Sequence, residues 1–318
     1  MARKQSIQYE IKTGALDGIT DDDTIKGYKT NIDKFKAYAE TAGISPAEIR
    51  SDVVGAIQSW ERYLEERNYT PNTIHTYLAP VCKGLGICMD KIDKPKRDTR
   101  SMTKGRSETA NLQGKSEKTK EKYERLVSFQ SVVGIRRDEL ADLRKKDIVR
   151  TVDGDLYVHV IRGKGGKEQY QYVLPQDRAI VEKTIQDLWD RERIFKPEEM
   201  KNHIDLHSIR AEQAQKAYAY YHDRLQKEPA YKVECIRRMT EYFKTMNNHD
   251  DKFERRFRDF KTDIKTGNFV YRVRGDNAQK ARELGKPVAY DRVALMMVSV
   301  FHLAHWRTDV TVKNYMLR

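Results

Sequence analysis

One stretch of this chain changes its hydrophobic period, and that change limits the folds open to it. Leu156, Val158 and Val160 alternate with other side chains, and Tyr170, Tyr172 and Leu174 alternate on the way back. Gly163, Lys164, Gly165, Gly166 and Lys167 turn the chain between them. A two-residue period on both sides of a glycine-rich turn predicts a β-hairpin within residues 148–174. Elsewhere the apolar residues follow helical spacing. Ile25, Tyr28, Ile32, Phe35 and Tyr38 predict a helix over 21–43. Asp21, Asp22 and Asp23 stand at its start, where the helix dipole favours negative charge. Ser45 and Pro46 open a second helix, which Val53, Ile57, Trp60 and Leu64 carry to about 66. Thr70 as N-cap and Pro71 at the first helical position open a third. The expected fold is therefore mainly α with a small β-sheet.

Domain organisation follows from where these patterns stop. Residues 1–20 read as an N-terminal extension and 21–90 as a small helical domain. Residues 91–116 are rich in Lys, Arg, Ser, Thr and Gly and poor in apolar side chains, which marks a basic linker. Residues 117–318 form a second domain that is helical apart from the hairpin. In it, 117–147 read as helix with a break near Gly134, 176–192 as helix after Pro175, and 207–227 as another helix.

Charge bears on partners. The 318 residues hold 61 Lys and Arg against 48 Asp and Glu, a net charge of +13. Such an excess favours a polyanion. The stretch 91–122 is densest, with 11 basic against 5 acidic residues. Cys82, Cys88 and Cys235 form no CxxC pair, so neither a disulfide framework nor a cysteine-rich zinc site is expected. The N-terminus lacks an apolar signal core and no run is long enough to span a membrane. A cytoplasmic protein with no membrane partner is expected.

Four short segments carry candidate chemistry, and each is unremarkable alone. Arg136 follows the glycine break at the start of a helix, a good place to hold a phosphate. Lys164 sits between glycines at the hairpin turn and can reach outward. His207 and Arg210 are spaced i, i+3, on one helix face. His305 precedes Tyr315 by ten residues near the C-terminus. In this order they compose one site for phosphoryl transfer. Two arginines suit the charge that builds on a phosphodiester's non-bridging oxygens. A mobile lysine can protonate a leaving oxygen. An attacking phenol, with a free pKa of about 10, needs a base or a positive pocket.

This set resembles the tyrosine recombinase, or phage integrase, family, most like the integrases of phages and conjugative elements. The run GIRRDELADL around Arg136 is similar to the family's first box, with Glu139 as the usual supporting acid. Gly163, Lys164 and Gly165 resemble its hairpin turn, and His207 to Arg210 its His-x-x-Arg box. Leu303, Ala304 and His305 stand where Leu-Gly-His is common, and Tyr315 stands at the nucleophile. Residues 68–77 are similar to the N-terminal core-binding domain of the same proteins.

The resemblance implies a helical core-binding domain joined to an α+β catalytic domain, the two clamping double-stranded DNA. It implies that Arg136 and Arg210 bind the scissile phosphate and that Tyr315 attacks it. Lys164 would protonate the leaving 5′ oxygen, His207 would move the tyrosine proton, and His305 would donate a hydrogen bond. No cofactor or metal is implied, and recombination would use a homotetramer on two duplexes. The chain departs from the family in several places. The interval between His207 and His305 is long, so about 223–290 reads as a basic insertion that either contacts DNA or a neighbouring protomer or decorates the surface. Ala304 replaces glycine. The interval from His305 to Tyr315 is one residue longer than common, although His302 would stand worse. Only three residues follow Tyr315, so the C-terminal lock onto a neighbour is expected to be missing, replaced or truncated. A type IB topoisomerase and a non-catalytic DNA-binding protein remain as alternatives.

Overall fold

The computed structural model describes residues 6–97, 117–164, 166–202, 204–246 and 251–318. The chain divides into two compact units, 1–103 and 104–318. It is mainly helical with a small sheet of a few strands. Most of the linker predicted over 91–116, and Gly165 of the hairpin turn, lie outside the described residues.

Unit one holds α1 (Ile7–Leu16), α2 (Asp22–Thr41), α3 (Pro46–Ser51), α4 (Val53–Glu66) and α5 (Pro71–Gly84). Each start has a side-chain oxygen on an otherwise orphaned amide: Ser6, Asp21, Ser45, Asp52 and Thr70. The predicted helix over 46–66 breaks at Asp52, whose carboxylate accepts from the Gly55 N–H at 2.8 Å and restarts the chain as α4. Within the expected extension over 1–20, the described residues include α1, which packs into this unit. Ile11 and Ala15 of α1 are buried in one core with Phe35, Trp60 and Leu78. Helices α1 and α5 meet at two glycines. A Cβ on Gly84 would lie 2.3 Å from the Ile11 carbonyl oxygen, and one on Gly14 2.7 Å from that of Gly84.

Unit two begins with α6 (Glu117–Val133), which ends where Gly134 takes φ +66°. Then come α7 (Arg137–Asp142) and an antiparallel sheet in the order β1 (Ile148–Arg150), β2 (Leu156–Val160), β3 (Gln169–Val173). The hairpin pairs Leu156 with Val173 and Val160 with Gln169. On β2 the expected alternation holds: Leu156, Val158 and Val160 are buried. On β3 it fails, because α6 packs on the sheet and α14 (Arg292–Phe301) also packs on β3, burying both Tyr172 and Val173. Helix α8 (Arg178–Ile185) stops before the expected 192. The chain beyond it turns back, and the Lys145 and Lys146 N–H groups donate to the carbonyls of Glu192 and Asp190. A short α9 (Pro197–Met200) leads to the long α10 (Leu206–Lys227).

The described residues of 223–290 contribute side chains to the core of this unit. They form the end of α10, then α11 (Tyr231–Thr245), α12 (Asp251–Lys265), β4 (Val270–Arg272), α13 (Gly275–Glu283) and β5 (Ala289–Asp291). Cys235, Met239, Phe253, Phe257 and Ala281 are buried in the same core as α14, Trp306 and Tyr315. The chain closes with α15 (Thr308–Thr311) and a π-helical turn, Val312–Met316.

Trp306 joins this segment to the end of the chain. Its ring is 4.9 Å from Phe257, 5.4 Å from Phe243 and 6.4 Å from Tyr242, centroid to centroid. Replacing it with alanine removes a large buried surface and leaves a cavity. Trp306→Ala is expected to cost about 3–5 kcal/mol of unfolding free energy, measured by urea denaturation. A loss below about 1 kcal/mol would show that the aromatic cluster does not hold the segment in place.

Candidate active site

Seven residues singled out in the sequence lie on four segments, and the fold draws most of them around one carboxylate. Glu139 is almost fully buried in the first turn of α7. Its Oε2 accepts from the Arg136 backbone N–H at 2.9 Å, and its Oε1 accepts from Arg136 Nη1 at 2.6 Å. Oε1 also accepts from the backbone N–H of Lys164 at 3.3 Å. Arg210 Nη1 lies 3.7 Å from Oε2. Burial alone would push this carboxyl up. Arg136 and Arg210, with the hydrogen bonds from Arg136, outweigh it and hold the group below the ordinary glutamate value.

The local sequence explains how these segments meet. Gly134 ends α6, and a Cβ there would lie 2.8 Å from Gln213 Oε1 of α10. Gln130, buried on α6, donates through Nε2 to the carbonyls of Ile135 at 2.7 Å and Leu206 at 3.0 Å. One amide thus fixes the residue before Arg136 against the start of the helix that carries His207 and Arg210. Asp205 caps that helix, accepting from the N–H groups of His207 and Ser208.

Arg210 is fully buried. Its Nη2 donates to the Leu303 carbonyl at 2.9 Å, while Nε and Nη1 have no hydrogen-bond partner. Burial lowers its pKa, against the opposing influence of Tyr315 and Glu139. Its guanidinium carbon is 5.9 Å from the centre of the Tyr315 ring. Tyr315 is 6% exposed, in the π-helical turn, and such turns recur at functional sites. His207 meets the Tyr315 ring edge to face at 5.5 Å, and His305 lies 6.3 Å from it. Both ring nitrogens of His305 are buried with no hydrogen-bond partner. Burial, then Arg210 and Arg136, push His305 down to about 3. His207 stays exposed as a residue, and desolvation followed by Arg318 and Arg210 lowers it to about 4. Both rings are thus neutral at pH 7.

Lys164 joins the cluster through its backbone, and its side chain is exposed. Ala304, where glycine stands in the resembling family, adopts φ +52°. That is the left-handed region, which costs an alanine about 1–2 kcal/mol. His302 is excluded from the cluster by its bonds. Its Nδ1 lies 2.9 Å from Gln213 Nε2, and its Nε2 lies 3.0 Å from the Tyr221 hydroxyl.

Two supporting residues carry little signal in the sequence. Gln130 sits on the apolar stripe of α6 among Leu126, Phe129 and Val133, and a glutamine at a core position is its only mark. Gln215 donates through Nε2 to the Tyr315 carbonyl at 2.7 Å, tying the tyrosine's turn to α10. Nothing in the sequence points to it. Among the described residues, no group of three or more His, Cys, Asp and Glu is arranged to hold a metal ion.

Chemically, the cluster sets two guanidinium groups and one carboxylate beside a phenol and two neutral imidazoles. Its hydrogen-bond donors are held in place but not all used. A small anion with several acceptor oxygens fits that set.

Two histidines, His302 buried and His305 half-buried, set a pH dependence of stability. His302 and His305 are pushed to about 3, from an ordinary value of 6.5, by burial first, with Arg238 adding for His302 and Arg210 for His305. Falling pH therefore protonates the unfolded chain before the folded one. The stability contributed by the neutral rings is full above 6.5 and is lost as pH drops from there toward 3. The urea midpoint is expected to fall between about pH 7 and pH 5, above the range in which ordinary carboxylates titrate. Glu61, raised to about 7 mainly by burial, adds stability as pH falls over the same window. An unchanged midpoint in a Glu61→Gln background would therefore mean that both rings take up protons while folded.

No protein-family model matches the chain and no curated protein matches it, so function is argued from these side chains and their geometry.

Proposed function

We propose that the chain is a tyrosine-type site-specific DNA recombinase that cleaves and rejoins DNA through Tyr315. The observation that carries this reading is the set of unused donors beside the phenol. A fully buried arginine leaves Nε and Nη1 without hydrogen bonds, and neutral His305 leaves its one N–H donor, like its other ring nitrogen, without a partner. Buried donors without acceptors are costly unless a ligand completes them. A phosphodiester would supply the missing oxygens.

In this mechanism Arg136 and Arg210 bind the non-bridging oxygens of the scissile phosphate. Tyr315 Oη attacks phosphorus, and its proton passes toward His207, which is neutral and adjacent. The bond to the 5′ oxygen breaks as Lys164 protonates it, leaving a 3′-phosphotyrosine link and a free 5′-hydroxyl. The exposed, glycine-flanked position of Lys164 suits a group that must swing onto bound DNA. His305 donates one N–H to a phosphate oxygen. Glu139 holds Arg136, Arg210 and the hairpin in register and touches no reacting atom. The phosphotyrosine keeps the energy of the ester, so rejoining needs no external energy source. Strand exchange would join four protomers on two duplexes.

Nicked duplexes from the ends of the encoding element, mixed with the protein, test the reading on a denaturing gel. A slow, protease-sensitive DNA adduct is expected with the wild type and none with Tyr315→Phe. Arg210→Ala should lose about 10²- to 10³-fold in cleavage rate while retaining DNA binding. Adducts in Tyr315→Phe, or a wild-type rate in Arg210→Ala, would remove the assignment. Relaxation of supercoils by a monomer without sequence preference would favour a type IB topoisomerase.

The role of Lys164 has its own test. A sulfur at the 5′-bridging position leaves without a proton. Lys164→Ala is expected to be slow on the oxygen substrate and near wild type on the sulfur substrate. Equal defects on both would assign the acid to another residue, and Lys167→Ala would be tried next.

A further inference from the structure

Residues 223–290 carry 17 Lys and Arg against 11 Asp and Glu, and these cations fall into two groups. The arginines near α11 are neutralised, whereas Lys227, Lys232 and Lys244 have no ion pair with a described residue. Arg237 pairs with Glu234 and Glu241 at 2.7 Å, Arg238 with Asp155 at 3.1 Å, and Arg224 with Glu228 at 3.2 Å. Further along, the pattern reverses. Lys252, Arg255, Arg256, Arg258, Lys261 and Lys265 of α12 have no ion pair with any described residue, and neither do Arg272 and Arg274 beyond it. Asp251, Glu254, Asp259 and Asp263 share the helix, and Asp263 is taken by Arg292 at 2.6 Å.

This cationic stretch is firmly held. Phe253, Phe257 and Phe260 bury one face of α12, which turns the charged residues outward. At the start of α12, Lys167 of the hairpin lies over the Phe253 ring at 4.2 Å. At the far end, Arg272 and Arg274 border a cavity of about 420 Å³ that also reaches Val312, the first residue of the Tyr315 turn. Cations without ion-pair partners thus run from the segment that carries Lys164 to the segment that carries Tyr315. Opposite charges spaced i to i+4 can pair along a solvated helix, as Arg237 and Glu241 do on α11.

We propose that the stretch from Lys252 to Arg274 is a second phosphate-binding surface, which takes the backbone of duplex DNA beside the site of cleavage. This rests on the reading that the partner is DNA. The surface would add affinity and orientation without sequence preference, because phosphates carry no base information. Each neutralised phosphate releases counterions, so the surface has a distinct signature in the salt dependence of binding.

The test uses the full chain and a fluorescent duplex of arbitrary sequence, titrated over about 50–200 mM KCl. One variant combines Arg255→Ala, Arg258→Ala and Lys261→Ala, and a second combines Arg272→Ala and Arg274→Ala. Alanine suits an exposed helix, so folding of the first should be retained, and far-UV circular dichroism checks both. Arg237→Ala, which removes a cation that is already paired, is the control. The plot of log affinity against log salt should become shallower by about 0.9 for each phosphate that is no longer neutralised. Binding should weaken in both variants and stay unchanged in the control. Tyr315 adducts should still form at saturating protein. Wild-type affinity and slope in both variants would overturn the surface while leaving the proposed chemistry standing. Failure of the wild type to bind duplex would overturn both. Loss of binding to single-stranded RNA or heparin, with duplex binding intact, would assign the surface to another polyanion.

Discussion

The candidate site depends on one buried carboxylate. A glutamate removed from water is costly unless it is paired and hydrogen-bonded. Glu139 meets that demand with two bonds from Arg136, one from the Lys164 backbone and the nearby charge of Arg210. These partners come from the start of α7, the hairpin turn and the start of α10. Satisfying one carboxylate therefore fixes the relative positions of three segments that are distant in sequence. The same demand keeps two guanidinium groups close together despite their mutual repulsion.

A second constraint acts from the other side. The Tyr315 turn is held by more than its own short-range bonds. The Gln215 amide ties it to α10, and the Trp306 cluster anchors the preceding residues to α11 and α12. Packing on the 223–290 segment thus supports the stretch of chain that carries the phenol.

The parts of the site differ in how they stand before any ligand arrives. Arg210 and Tyr315 are buried and His305 is half-buried with both ring nitrogens shielded, while Lys164 and His207 stay exposed. That division suits a reaction in which the anion-binding groups are preorganised and the proton donor arrives with the substrate.

The sequence by itself determined the periodic elements and the residue types. The change from a helical to a two-residue period marked the hairpin, and Asp21, Ser45 and Thr70 marked helix starts. These signals are local, since caps and alternation act over a few residues. Seven candidate site residues could also be named, because Arg, Lys, His and Tyr in that order resemble one pattern of chemistry. Tertiary structure decided the rest. The break at Asp52, the early end of α8 and the burial of both faces of β3 came from packing and hydrogen bonds that no short window contains. Residues 1–20 and 223–290 looked peripheral because their charge and their distance from the motifs hid the apolar stripes of α1, α11 and α12. Only the folded chain showed that those stripes complete two cores, and that Gln130 and Gln215 position the segments bearing Arg136 and Tyr315. Such bonds join residues 76 and 100 positions apart, and their energy depends on burial, which a sequence pattern does not carry.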